Sequence, residues 1–364
     1  LGDVYKRQIR YGPLWISGIN NCPGHILEIR GGQNMKEECI LSLLPGKLRI
    51  QMQKIVKDYE KLQEIKVRIE KPVFYFQDGR EYMLKDEWGR PYIATKEEVR
   101  ELLEYVSHYS LYAYEEEMRQ GFLTVEGGHR IGFAGQAILE GGHVKNLKYI
   151  SSVNIRIAHE VMGCADWIFP YITRNRSLFH TLIVSPPGQG KTTLLRDIVR
   201  QISEGNTYIS GKTVGIVDER SEIGGCYQGV AQNHVGMRTD ILDACPKAEG
   251  MIMLIRSMTP EVVAVDEIGT AQDVHAIEYA MHCGCKMLAT VHGESMQEVK
   301  RKPVLGTLIK QKRFERYIVL SGEGKVGEVG GIYDDRGNTL YSFVGQSNTA
   351  GYTGMAGDEK CGKP

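Results

Sequence analysis

Two short stretches carry the residue types that phosphoryl chemistry needs: SPPGQGKTT at residues 185 to 193 and EVVAVDEIG at residues 261 to 269. A glycine loop, a lysine and a hydroxyl can hold phosphate and its metal. A pair of carboxylates after an apolar run can support that metal and orient a water for in-line attack. Gly188 and Gly190 let backbone amides turn inward, Lys191 reaches the β- and γ-phosphates, and Thr192 ligates Mg²⁺. Pro186 and Pro187 donate no N–H, so the donors must come from residues 188 to 193. Pro187, Gly188, Gln189, Gly190, Lys191, Thr192 and Thr193 are the candidate ATP cradle. Asp266 is expected to hold the Mg²⁺ shell together with Thr192, through water, and Glu267 to polarise the attacking water.

A phosphate cradle works only where a buried strand delivers the chain to the loop and a helix N-terminus follows it. HTLIV, residues 180 to 184, is such a strand, and Leu194, Leu195, Ile198, Val199 and Ile202 follow at helical spacing. A second Gly-Lys-Thr triplet at Gly211 to Thr213 fails this requirement. It runs into the β-branched stretch TVGIVDE, so Lys212 enters a strand and the triplet reads as a turn. The consensus loop has glycine where this chain has Ser185, a departure that the strand and helix context outweighs. A further apolar run, CKMLATVHG, ends in Thr290 and His292, and VGIVDERSE leaves Asp218, Glu219 and Arg220 at a strand end. Polar groups at the carboxyl ends of parallel strands face the nucleotide crevice.

The chain of 364 residues allows about two domains. Its 42% hydrophobic and 25% charged residues are those of a soluble globular protein, and 45 basic side chains cancel 45 acidic ones. That balance offers no general attraction for nucleic acid or an anionic membrane. The basic stretch IKQKRFERY, residues 309 to 317, reads as a solvated helix face. Eight cysteines lack zinc-site spacing, which suggests free thiols in a reducing cytosol. No apolar run approaches the roughly 20 residues of a spanning helix.

Residues 1–35 are expected to be a non-native or disordered leader with Met35 the natural start, and residues 346–364 a disordered tail. Residues 36–172 suggest a smaller α+β domain. EIKVRIEKPVFYF alternates as a strand, Thr95 and Glu98 form a capping box for a following helix, and the two Glu-Gly-Gly-His turns suggest a meander. His129 and His143, lying in those turns, are expected to be solvated. Residues 173–179 read as a hinge, and 180–345 as a doubly wound, mainly parallel α/β core.

SPPGQGKTTLLRDIVRQIS, VGIVDERSEIGG, RSMTPEVVAVDEIG and ATVHG, with the upstream YSLYAYEEEMRQGFLTVEGGHRIGFAGQ and ISSVNIRIAHE, closely resemble the sporulation branch of the type II/IV secretion ATPases across about residues 36 to 345. The resemblance implies a RecA-like, AAA+-related core with Walker A and Walker B motifs and Ser-Pro-Pro as the family's own loop start. It also implies a motor that assembles as a hexamer and hydrolyses ATP with Mg²⁺. Such a motor would lie in the cytoplasm against the mother-cell membrane, energising a secretion-like complex that reaches the forespore. Asp218 and Glu219 then match an acidic box and His292 a histidine box, while Arg130 and Arg156 stand where N-terminal-domain arginines reach the nucleotide. The expected catalytic set is Glu267, Lys191, His292, Glu219 and Arg156.

Two other functions are consistent with an ATP site. A RecA-like nucleic-acid binder would show DNA-stimulated turnover, but the neutral charge and the lack of an aromatic-basic stripe count against it. A nucleotide-switched scaffold would need Lys191 and Asp266 and no catalytic Glu267.

Overall fold

The computed structural model describes residues 33–107, 117, 121–322 and 325–343. The leader up to residue 32, the tail from 344 and most of the segment 108–120 lie outside the described residues. Helices Gln33–Ser42 and Gly46–Ile55 come first. A six-stranded antiparallel sheet follows, built from β1 (Leu62–Arg68), β2 (Phe74–Gln77), β3 (Arg80–Met83), β4 (Phe122–Thr124), β5 (Arg130–Glu140) and β6 (His143–Arg156), in the order β3-β2-β1-β6-β5-β4. The alternating stretch expected as one strand is two, because Glu70 takes a left-handed φ of 56° and Pro72 breaks the ladder before β2. Ile65 and Val67 nonetheless share the buried face with Ile155 and Val153. Helix Lys96–Val106 carries the Thr95–Glu98 capping box and buries Val99, Leu102, Leu103 and Val106 on that sheet.

β5 and β6 run on past the sheet as a two-stranded ribbon. At its root the register slips beside Gly135, where a Cβ would sit 2.8 Å from the Lys148 and Tyr149 carbonyl oxygens, so only glycine fits. His143, the first residue of β6 after the ribbon's turn, is exposed, as expected. His129 is not: it is 1% exposed, and its Nδ1 accepts the Ala158 amide at 3.0 Å. Gly127 and Gly128, both at positive φ, form the tight turn that leads into it.

The polar stretch read as a hinge forms a tight hairpin of β7 (Thr173–Arg174) and β8 (Ser177–Leu178). Its neighbours Phe169, Ile172 and Leu178 are buried with the C-terminal core. The second sheet contains β9 (Thr181–Ser185), β10 (Val214–Asp218), β11 (Thr239–Asp243), β12 (Val262–Val265), β13 (Lys286–His292), β14 (Arg316–Leu320), β15 (Val329–Asp334) and β16 (Thr339–Ser342). Their order is β11-β10-β12-β13-β9-β14-β15-β16, parallel up to β14 and antiparallel beyond it.

Both faces of this sheet are covered, which explains why its strands read as continuous apolar runs. Ile183, Ile216, Ala264 and Leu288 pack on one side with Leu194, Leu195 and Ile198, while Leu182, Val184, Val263, Val265 and Met287 pack on the other with Met251 and Ile277. The basic stretch at 309–317 is no helix face. It crosses from a helix ending at Lys310 through a turn into β14, burying Phe314 and Tyr317. Tyr317 is buried on one face of β14 and Ile318 on the other, because both faces of the sheet are covered there.

Candidate functional site

The strand order determines what meets at the site. β13 lies between β9, which feeds the glycine loop, and β12, which carries the acidic pair, so the carboxyl ends of three adjacent strands converge. The loop passes directly into helix Lys191–Glu204, with Gly190 as N-cap at φ 83°. A Cβ there would press within 3.4 Å of Gly327 N and Val326, in a backbone region L-residues resist, so glycine is required. Ser185 is buried and bonds its own loop, Oγ donating to the Pro186 carbonyl at 2.7 Å, which accommodates the missing consensus glycine.

Lys191 Nζ lies 2.7 Å from Glu267 Oε1 and 3.7 Å from Asp266 Oδ1. Thr192 Oγ1 donates to Asp266 Oδ2 at 2.6 Å. This hydroxyl and carboxylate form a pair of hard oxygens at a helix N-terminus, the donor set that suits Mg²⁺. Glu267 faces three cationic or hydrogen-bonding groups: Lys191, Arg220 Nη1 at 3.1 Å, and His292 Nε2 at 2.7 Å. Burial pushes its carboxyl up, but the Lys191 bond and charge and the facing His292 outweigh that and hold it below the usual carboxylate range.

The other expected site residues lie around this centre. Glu219 pairs with Lys247 and borders the Asp266–Glu267 crevice with Arg220. Arg156 lies opposite Arg130 across β5 and β6. Both arginines line a cavity of about 650 Å³ between the two domains, whose other wall carries Glu219, Arg220 and Glu222. Arg130 pairs with Glu222 at 2.6 Å, and the Gly127 amide donates to Gln232 Oε1 at 3.0 Å, so the N-terminal sheet rests on the acidic loop after β10. Lys212, of the second triplet, is away from all of this and pairs with Glu261 at 2.7 Å.

Asp218 organises that acidic loop. It is 1% exposed and accepts the amides of Glu222, Ile223 and Gly224 at 2.8, 2.9 and 2.8 Å. Burial raises its pKa to about 6 against the pull of those amides. The folded chain therefore keeps a proton that the unfolded chain releases between pH 3.8 and about 6, and stability should fall as pH rises through that window. Asp218→Ala orphans buried amides at about 1–3 kcal/mol each before relaxation. A loss of roughly 2 kcal/mol or more and a flattened pH slope are expected in urea melts at pH 4.5 and 7.

Three contacts had no periodic signal in the sequence. Arg196, half-buried on the phosphate helix, donates to the Ile223 and Glu222 carbonyls at 2.7 Å each and to His159 O at 3.4 Å. It thus ties the nucleotide loop's helix to the acidic loop and the N-terminal domain. Arg220 reaches Glu267, and Lys247 reaches Glu219. An isolated cation near a carboxylate in the folded chain can be far from it in sequence, so spacing was silent.

The inserted β13, the glycine loop on a helix N-terminus and the acidic pair at the end of β12 define a P-loop ATPase fold. The chain belongs to the sporulation stage III, protein AA family, whose family model matches residues 34–340. It is 42% identical over 307 residues to Stage III sporulation protein AA of Bacillus subtilis (strain 168), covering 84% of this chain and 98% of that protein. Among solved structures, the ATPase DotB of Yersinia pseudotuberculosis superposes with a TM-score of 0.54 at 14% identity, over 81% of each chain. DotB of Legionella pneumophila gives 0.51 at 16% identity, over 76% of this chain and 78% of that one. At such identities these two likenesses establish fold. The resemblance carried by the motifs is met by the family match. No helix among the described residues is long and apolar enough to cross a membrane.

Proposed function

We propose that this chain is an Mg²⁺-dependent ATP hydrolase that acts as the oligomeric motor of a secretion-like complex between mother cell and forespore during endospore formation. One observation carries the hydrolase reading: Lys191, Thr192, Asp266, Glu267 and His292 meet within hydrogen-bonding range where the glycine loop enters its helix. Pro187, Gly188, Gln189, Gly190 and Thr193 complete the cradle. Lys191 binds the β- and γ-phosphates, and Thr192 and Asp266 would hold a Mg²⁺ ion that would neutralise phosphate charge. Glu267 orients the attacking water. As Lys191 swings onto phosphate, Glu267 loses the partner that most depresses its basicity and becomes a better proton acceptor.

The motor reading draws on family membership and on the seam between domains. Arg130, Arg156, Glu219, Arg220 and Glu222 share one cavity there, so a change at Glu267 can pass through Arg220 to the N-terminal domain. A ring, hexameric as in the better-known secretion motors, is the assembly proposed, with nucleotide also reached by arginines of a neighbouring copy. The complex it drives is membrane-embedded, and this chain would lie in the cytoplasm on its mother-cell side. Turnover per chain should then rise steeply with concentration, and Arg156→Ala should lower turnover more than ATP affinity. Constant turnover from nanomolar to tens of micromolar protein would count against the ring.

A further inference from the structure

We infer that Thr290 is the positioning residue of Glu267, an inference that rests on the hydrolytic reading above. β13 places Thr290 opposite Ile183 of the loop-feeding strand, one register step beyond the Ala289–Val265 pair that ends the acid-bearing strand. Its side chain is fully buried. The hydroxyl accepts the Glu267 amide at 2.9 Å and donates to Asp266 Oδ1, while its carbonyl accepts the Ile268 amide at 2.9 Å. Three consecutive residues, Asp266 to Ile268, thus hang on this one threonine.

The need for such a clamp is visible in the backbone. Glu267 has φ 53°, a left-handed conformation that costs an L-residue roughly 1 kcal/mol or more and persists only where the surroundings impose it. That conformation turns the Glu267 side chain towards Lys191 and His292. A hydroxyl has one donor and two lone pairs, so Thr290 can serve the Asp266 carboxylate and the Glu267 amide together. Valine has the same shape and can serve neither. Asp266 would keep Thr192 and Lys191, so metal and nucleotide binding depend less on this hydroxyl than the aim of Glu267 does.

The test compares Thr290→Val with Thr290→Ser in the full chain, measuring MgATP affinity, single-turnover hydrolysis and hydrogen exchange at the Glu267 amide. Thr290→Val should lose on the order of 30-fold in the hydrolysis step with ATP affinity within about threefold, because a buried amide left without its partner lets the turn relax. Thr290→Ser should stay within about threefold of the parent, since it keeps the hydroxyl. The Glu267 amide should exchange at least about tenfold faster in the valine variant alone. Should that variant fail to fold, Thr290→Ala provides the same contrast with serine. Normal turnover in Thr290→Val, parallel loss of affinity and rate, or a serine variant as slow as valine would overturn the inference. A parent chain without hydrolysis would instead overturn the functional reading, and the exchange rates would still decide whether Thr290 holds the Glu267 peptide.

Discussion

Glu267→Gln is expected to bind MgATP about as tightly as the parent and to lose on the order of 10²-fold or more in single-turnover hydrolysis, the range that general-base catalysis supplies. The amide keeps the size of the side chain and one acceptor oxygen, but it cannot take a proton. It also removes the negative partner of Lys191, which lies 2.7 Å away, so the lysine is freer to meet phosphate and affinity has no reason to fall. Asp266 differs in kind, because its carboxylate is bound to the Thr192 hydroxyl and stands where the metal shell is expected. The discriminating measurements are nucleotide affinity, single-turnover rate and sporulation of a spore-forming host carrying the variant. Unchanged hydrolysis would remove Glu267 from its assigned role. Normal sporulation without hydrolysis would leave a nucleotide-switched scaffold in place of a motor.

Lys191→Ala should weaken ATP binding by roughly 10²-fold, the scale of losing a desolvated charge-assisted contact, whereas Lys212→Ala should change it less than about twofold. Both lysines belong to a Gly-Lys-Thr triplet, so the contrast isolates what surrounds them. Lys191 is 8% exposed at the start of a helix and faces two carboxylates at the convergence of three strands. Lys212 instead bridges to Glu261, whose side chain is 51% exposed, in a pair worth little to stability. Isothermal titration with ATP on both variants decides the matter. Comparable losses would mean that the triplet itself, and not its strand-to-helix setting, confers binding.

The glycine loop, its helix and the acidic pair were legible in the sequence because each is specified locally. Gly188 and Gly190 sit where positive φ is required, Leu194 to Ile202 follow a helical period, and Val262 to Val265 form a run that only a doubly covered strand would carry. The Thr95 cap was legible for the same reason, since donor and acceptor are three residues apart. His129 and the stretch 309–317 were misread because their environment is made by remote segments: Ala158, just after β6, bonds the one, and β9 pairs with β14 to bury Tyr317 of the other.

Tertiary structure alone decided that β13 runs between the loop strand and the acid strand, and so that Thr290 and His292 come to Asp266 and Glu267 rather than to some other strand end. It likewise decided that Arg196, Arg220 and Lys247 tie the helix, the acid pair and the acidic loop together. Hydrophobic period reports which face of an element is buried, but not which neighbour buries it. Strand order follows from how helices pack on both faces of the sheet, a property of the whole chain that no local spacing encodes.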